Sequence, residues 1–358
     1  MRTIMEAQRP YHSLRRSTAW RGTPVEGLIY EGLRLKINPS KMRPVTIPSR
    51  PNYCSPSDEA WGTQYILEQM AQGGLVRLYL DDPDPLLRPL RILPWFVTRN
   101  SPQERRLVID QREGNEELDE ISAVQYQDLS WIPAFLEPGD VIWSADVKSA
   151  YFGVSLHPEF ARRCCIMVGE MILAWTVMLL GLSIAPRTYT LITQVVIEEA
   201  VRIGIRLLRY IDDFLGASKV HLAELDIRLA VGLFWRFGLI LSFKKSIVWP
   251  SLRLKHLGLL IDMPTMSFMV PAEKLADLVR FALALSKKSH ASVQALQRFI
   301  GKILSLMKAV PQARLRSWSL IQDLHGHGAH VKFLSPPAPG KTLLGSRPNF
   351  RRTPPPPG

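Results

Sequence analysis

Three aspartates carry the clearest chemical signal in this 358-residue sequence. Asp212 and Asp213 are adjacent in RLLRYIDDFLGAS, where an apolar run with strand character (Ile205, Leu207, Leu208, Tyr210, Ile211) breaks before Phe214, Leu215 and Gly216. That pattern predicts a hairpin with the acids at its tip. An isolated Asp-Asp pair in a turn is ordinarily just solvated, because Asp is a common turn former. A third carboxylate shifts the weight: Asp146, in VIWSADVKSAYFGVSL, again closes an apolar run and is followed by the aromatic Tyr151. Three acids on strand ends can hold a pair of magnesium ions, with manganese as the alternative. Magnesium takes oxygen ligands in octahedral geometry, usually one or two carboxylates plus substrate phosphates. With two ions about 4 Å apart, one activates the attacking oxygen and the other steadies the leaving group of an in-line phosphoryl displacement. Such a site performs nucleotidyl transfer.

The elements that must position these acids can be read along the chain. EAWGTQYILEQMAQGG places Trp61, Tyr65, Ile66 and Met70 at helical spacing and stops at Gly73-Gly74. The strand-like runs RLYL, ILPWFVTR and RRLVID follow, the first two separated by the loop DDPDPLLRP, and an acidic, polar connection runs from there to a new segment near Asp140. Asp146 closes the first strand of that segment. The most apolar window, CCIMVGEMILAWTVMLLGLSIAP, reads as two buried strands joined at Gly169-Glu170 with Trp175 inside. Its uncharged run is shorter than the roughly 20 residues a bilayer span needs, so no membrane partner is expected.

Pro186 opens a helix whose Ile192, Val196, Ala200 and Val201 are expected to face a sheet. HLAELDIRLAVGLFWRFG is an amphipathic helix ending at Gly238, and LILSFKKSIVW a strand and turn. Pro271 opens a helix carrying Leu275, Leu278, Val279, Ala282 and Leu285; after a break from Lys287 to His290, a second carries Leu296, Phe299, Ile300, Ile303 and Leu304. The opposite faces hold Lys287, Lys288, Arg298, Lys302, Lys308, Arg314 and Arg316. Phosphate contacts supply affinity without sequence preference, and this distribution suits a duplex backbone.

Composition sets bounds. A hydrophobic content of 46% is ordinary for a globular chain of two or more subdomains, and no internal repeat is visible. The formal charge of +13 fits a polyanionic partner, and the excess lies towards the two ends. Cys54, Cys164 and Cys165 give neither an even framework nor a metal-ligand spacing. A reduced, intracellular chain is expected, cytoplasmic or nuclear, without zinc or disulfides.

Five stretches, in order, resemble the motifs of reverse transcriptases. Asp146 with Tyr151 is similar to motif A, LLGLSIAPRTYT to motif B, YIDD to motif C, LILSFKKS to motif D and LKHLGLLID to motif E. The resemblance covers most of residues 59–324, and ASVQALQRFIGKILSLMKAVP is most similar to the thumb of DIRS-like or gypsy-like retrotransposons. It implies catalytic metal ligands at Asp146, Asp212 and Asp213, and a sugar gate at Tyr151, whose ring would clash with a ribonucleotide 2′-hydroxyl. It also implies close backbone approach to the substrate at Gly181 and a general acid for pyrophosphate at Lys245, beside Lys244. The runs around NSPQE resemble the fingers hairpin that grips the incoming triphosphate: Arg106 matches the binding arginine, and Arg99 stands where a lysine is usual. A guanidinium fork suits phosphate oxygens. Arg112 and Asn115 continue the family's R-x-L-N signature, with Gly114 in place of leucine. In motif B, Leu180 stands where many relatives have Gln or Phe, and Leu179 where Pro is common.

The expected fold is therefore α+β, a right-hand polymerase whose antiparallel palm sheet is backed by helices. The segments expected are a basic, partly disordered lead-in at 1–58, including a short strand in GLRLKINPS, then fingers at 59–139 and a palm at 140–270 with a fingers insertion near 157–179. A helical thumb at 271–324 and a disordered Pro-rich basic tail at 325–358 complete the chain. The expected activity is RNA-directed DNA polymerisation on an RNA or DNA template with primer, consuming deoxynucleoside triphosphates. The competing reading is an inactive retroelement remnant that binds nucleic acid. The intact acid triad argues against it, because clustered carboxylates repel phosphate unless a metal is present.

Overall fold

The computed structural model describes residues 10–45, 47, 52–101, 104–119, 123–288, 290–318, 321–322 and 330–332. The chain divides into two compact units, Met1–Met269 and Val270–Gly358.

In the first unit the strands are β1 (Leu75–Leu78), β2 (Trp95–Ser101), β3 (Glu104–Ile109), β4 (Asp140–Asp146), β5 (Cys165–Val168), β6 (Met171–Trp175), β7 (Arg206–Tyr210), β8 (Asp213–Lys219), β9 (Ile247–Ser251), β10 (Arg253–His256), β11 (Leu259–Asp262) and β12 (Ser267–Met269). Its long helices are α1 (Pro56–Ala71), α2 (Ala185–Arg202) and α3 (Ala223–Arg236). The central antiparallel sheet has the order β7-β8-β4-β9. Strand β4 is buried on both faces, which is why DVIWSAD is nearly continuous in apolar residues instead of alternating. Trp143, Ala145, Leu207 and Phe214 enter a core shared with Tyr189, Ile192 and Val196 of α2 and Phe234 of α3. Ile142, Leu208, Leu215 and Ala217 enter a second core with Leu254, Ile261 and Met263. Gly216 lies opposite Trp143, where a Cβ would sit 2.0 Å from the indole, so only glycine lets that ring cross the sheet.

Local chemistry explains the element ends. Ser55 caps α1, its hydroxyl accepting from the Asp58 N–H at 3.3 Å, with Pro56 at the first helical position. Strands β5 and β6 form the expected buried hairpin across Gly169-Glu170, and Trp175 is fully buried. In α2, Ile192, Val196 and Ala200 face inward, but Val201 does not: it is 64% exposed. One residue beyond Ala200 is a rotation of about 100°, enough to leave the buried face. Tyr189 and Thr193 occupy that face instead.

Within the lead-in, Tyr11, Leu14, Trp20, Ile29 and Leu33 are all buried in the core. Trp20 donates its indole N–H to the Phe237 carbonyl at 3.1 Å, a length of chain the sequence pattern does not reveal because the segment lacks sustained periodicity. GLRLKINPS makes two isolated bridges, Leu33 with Leu156 and Ile37 with Leu118, instead of a strand.

In the second unit α4 (Ala272–Ser286) and α5 (Val293–Leu304) pack through Phe281 and Phe299, 5.8 Å apart, and β13 (His290–Ser292) pairs with β14 (His330–Lys332). Of the apolar positions expected to be core in α4, only Leu285 is buried, while Leu275 and Val279 are about half exposed. Lys302 is paired with Asp277; Lys287, Lys288, Arg298, Lys308 and Arg314 are exposed. The side chain of Arg316 and the Pro-rich tail lie outside the described residues.

Candidate active site

The pairing of β4 with β8 sets an acid against a cation at one end and an acid against an acid at the other. Asp140 faces Lys219, and Asp146 faces Asp213. Asp140 is fully buried and neutralised by Arg206 at 2.7 Å and Lys219 at 2.9 Å. Asp146 and Asp213 meet only the exposed Lys245, 3.9 Å from Asp146 Oδ1, among the described residues, although like charges directly opposite destabilise a sheet. Burial, then Asp212 and Asp146, pushes the Asp213 carboxyl up to about 6. Burial raises Asp146 too, with Asp212 adding and Lys245 opposing. Asp212 is raised by burial as well.

The sequence folds this way because β7 and β8 are joined by two residues, Ile211 and Asp212, between the paired Tyr210 and Asp213. Ile211 adopts φ +59°, a region that is an outlier for a β-branched residue. On the other side, the Asp146 N–H donates to Ser246 Oγ at 2.9 Å, and the Asp146 carbonyl accepts from the Ser242 N–H at 2.8 Å. The 242–246 turn is thereby stitched to the strand end, and it carries Lys245, whose Nζ lies 3.9 Å from Asp146 Oδ1 and whose side chain is 72% exposed.

These ends open on a cleft of about 570 Å³ lined by Asp146, Asp212, Arg106, Tyr151, Gly181 and Lys245, among others. Tyr151 is half-buried, its ring edge-on to that of Tyr189 at 5.7 Å; burial raises its hydroxyl to about 12. Gly181 has φ +92°, while a Cβ there would meet nothing closer than 3.5 Å, so the backbone angle and not space calls for glycine. Asn115 holds this loop: its Nδ2 donates to the Gly181 carbonyl at 2.9 Å and its Oδ1 accepts from the Ser183 N–H at 2.8 Å. Leu179 is buried and Leu180 is 54% exposed at the cleft.

Arg99 does not join the set. Its guanidinium donates to Asp58 Oδ1 at 2.6 Å, and Arg105, its cross-strand neighbour, reaches the same oxygen at 3.2 Å. The reason is the charged side chain of Asp58 in the first turn of α1, which the spacing of the hairpin alone does not reveal. Arg106, paired with Thr98, is exposed and reaches the cleft.

Side chains to which the sequence pattern assigns no role at the site also line this wall. Trp61 and Tyr65 stack at 5.3 Å, with Arg105 over Trp61, and Lys148 lies between the flagged Asp146 and Tyr151. Helical spacing places the two rings on a helix but does not say what they face. Tyr189 is fully buried behind Tyr151, and its hydroxyl has no hydrogen-bond partner among the described residues.

Among the described residues no group of three His, Cys, Asp or Glu side chains is closed into a set that could hold a metal ion. The donor chemistry still suits a hard divalent cation: three half-buried carboxylates, each raised by burial, lie at adjoining strand ends, with Lys245 3.9 Å from Asp146.

The architecture is that of a right-hand polymerase. Solved structures with this fold include a foamy viral protease-reverse transcriptase in complex with double-stranded DNA (TM-score 0.67, 16% identity, covering 84% of this chain and 51% of that one). The foamy viral protease-reverse transcriptase with an RNA/DNA hybrid matches at TM-score 0.64 and 18% identity, over 84% of this chain and 38% of that one. The chain is reverse-transcriptase-like in fold. In sequence it is 25% identical over 274 residues to the genome polyprotein of Petunia vein clearing virus, isolates Shepherd and Hohn. That similarity covers 70% of this chain but spans only 12% of the polyprotein's length. No family model matches the chain.

Proposed function

We propose that this chain is an RNA-directed DNA polymerase of a retroelement, adding deoxynucleotides to a primer 3′ end. The observation that carries the reading is the register of Asp146 against Asp213, with Asp212 at the adjoining turn; Asp146 and Asp212 line a cleft that also holds Arg106, Tyr151 and Gly181. Asp146, Asp212 and Asp213 would hold two magnesium ions, which when bound supply positive charge to the attacking 3′-hydroxyl and to the leaving pyrophosphate.

The chain's own groups do the rest. Arg106 offers a fork of N–H donors to the triphosphate. Tyr151 places its ring where a 2′-hydroxyl would clash. Lys245, exposed beside the acids, is placed to give a proton to pyrophosphate as negative charge develops there. The duplexes named for the foamy viral neighbours support a template-primer as partner, with the exposed cations of the second unit on its backbone. The 291–311 run supports a DIRS-like or gypsy-like retrotransposon as source, and the segments 59–139, 140–270 and 271–324 serve as fingers, palm and thumb.

A second reading, a remnant that binds nucleic acid without catalysis, is favoured by the absence of a closed three-ligand set among the described residues and by the exposed Leu180. Primer extension on an RNA template by the purified chain separates the two. The polymerase gives magnesium-dependent extension that Asp213→Asn abolishes; salt-sensitive duplex binding with no extension establishes the remnant instead.

A further inference from the structure

The turn that carries Tyr151 does not stand alone. Residues 149–153 enter through Ser149 at φ +49°, and the turn Ala150–Gly153 is pressed onto the N-terminal segment, where a Cβ on Gly153 would lie 3.0 Å from Ser13 Oγ. The His12 N–H donates to the Phe152 carbonyl at 2.9 Å. The imidazole of His12 reaches three elements at once: Nε2 donates towards the Gly73 carbonyl at 3.4 Å and lies 3.2 Å from Thr176 Oγ1, while Nδ1 lies 2.7 Å from Ser155 Oγ. Tyr11 stacks on Phe152 at 5.2 Å, Phe152 on Trp175 at 5.8 Å, and the Tyr11 hydroxyl donates to Gln69 of α1. Leu33 then closes the grip, its N–H donating to the Ser155 carbonyl at 2.8 Å.

We propose that Tyr11 and His12 are positioning residues for sugar selection: the N-terminal segment fixes the turn bearing Tyr151, and so fixes how far its ring reaches into the cleft. This rests on the reading of Tyr151 as the sugar gate. The neighbouring residue Phe152 stacks on both Tyr11 and Trp175 and its carbonyl accepts from the His12 N–H, so its backbone cannot shift without disturbing those stacks or that bond. A gate works by a clash of tenths of an ångström to an ångström, and a misplacement of about 1 Å at a positioned group can cost about 100-fold.

The test measures kcat and KM for a deoxynucleotide and the matching ribonucleotide on one primer-template, with wild type, Tyr151→Ala, His12→Ala, Ser155→Ala and Tyr11→Leu. His12→Ala and Ser155→Ala each remove side-chain contacts while leaving the rings stacked, so they cover the case in which Tyr11→Leu does not fold. Expected is a loss of discrimination on the order of tenfold, carried by a lower ribonucleotide KM, with deoxynucleotide kcat within about twofold of wild type. A merely structural role lowers the folded fraction and scales both kcat values together; an unchanged sugar ratio in His12→Ala and Ser155→Ala overturns the proposal. If Tyr151→Ala alone relaxes the ratio, only the positioning role falls. If wild type incorporates neither sugar, the polymerase reading falls and takes this proposal with it.

Discussion

Asp146 and Asp213 face one another across β4 and β8, while at the opposite end of the same pairing Asp140 faces Lys219. One strand thus holds one aspartate neutralised and one opposed, and the opposed end opens on the cleft. Asp213, pushed up to about 6 from 3.8, binds its proton more readily folded than unfolded. Stability therefore falls as pH rises through that window and is recovered below about pH 4. Asp213→Asn is expected to melt higher than wild type at pH 7 to 8 without divalent ions, by about 2–4 °C for each ~1 kcal/mol of repulsion removed. Melting curves across pH check it: the gap closes in acid, and magnesium closes it at neutral pH by raising wild type alone. Incorporation falls by about a thousandfold, equivalent to about 4 kcal/mol.

Ile211 makes a second prediction. A left-handed backbone costs an L-residue about 1–2 kcal/mol, and here it is held in the two-residue turn that presents Asp212. Ile211→Gly removes that strain together with a partly buried side chain, so its stability loss is expected to be smaller than that of the fully buried, extended Ile166→Gly. Nucleotide incorporation nevertheless drops, because a glycine turn no longer fixes the Asp212 carboxylate. Equal destabilisation by the two substitutions in denaturant melts would show that the turn is unstrained.

Behind Tyr151, Tyr189 carries a buried hydroxyl with no hydrogen-bond partner among the described residues, a condition that costs about 1–3 kcal/mol. Its ring supports Tyr151 edge-on. Tyr189→Phe keeps the ring and removes the orphan, so a higher melting temperature with unchanged sugar discrimination is expected. Tyr189→Ala removes the support and relaxes discrimination towards ribonucleotides. A loss of stability in Tyr189→Phe would mean that the hydroxyl is satisfied by bound water.

Much of this site is legible in the sequence because it depends on local pattern. Adjacent acids between apolar strands predict the Tyr210–Asp213 hairpin, and LLGLS singles out Gly181, though for close backbone approach and not for the φ of +92° that calls for glycine there. What spacing cannot supply is the partner across the fold. Arg99 and Arg106 look alike in a hairpin until Asp58, on a helix far earlier in the chain, captures one of them. The same limit hid residues 10–33: Trp20 is buried by contacts with Phe237, and an aperiodic, Arg-rich stretch gives no sign of them. Val201 failed for a different reason, since an apolar residue adjacent to a buried one is off-face by helical geometry.

The two arginines of the hairpin give the last prediction. Arg106 is exposed at the cleft, whereas Arg99 and Arg105 share the Asp58 carboxylate, which Arg99 holds below the usual carboxylate range. On the proposed function, removing Arg106 takes a charged donor away from the triphosphate; at about 1.5–3 kcal/mol for a charge-assisted hydrogen bond, Arg106→Ala is expected to raise the deoxynucleotide KM about 10- to 100-fold. Arg99→Ala leaves Asp58 with Arg105 and is expected to leave KM within about twofold. Because Arg99 is exposed and Asp58 keeps Arg105 as a partner, its loss is expected to change stability little. Steady-state kinetics on one primer-template decide between them, and a larger KM effect at Arg99 than at Arg106 would place the triphosphate on the other face of the hairpin.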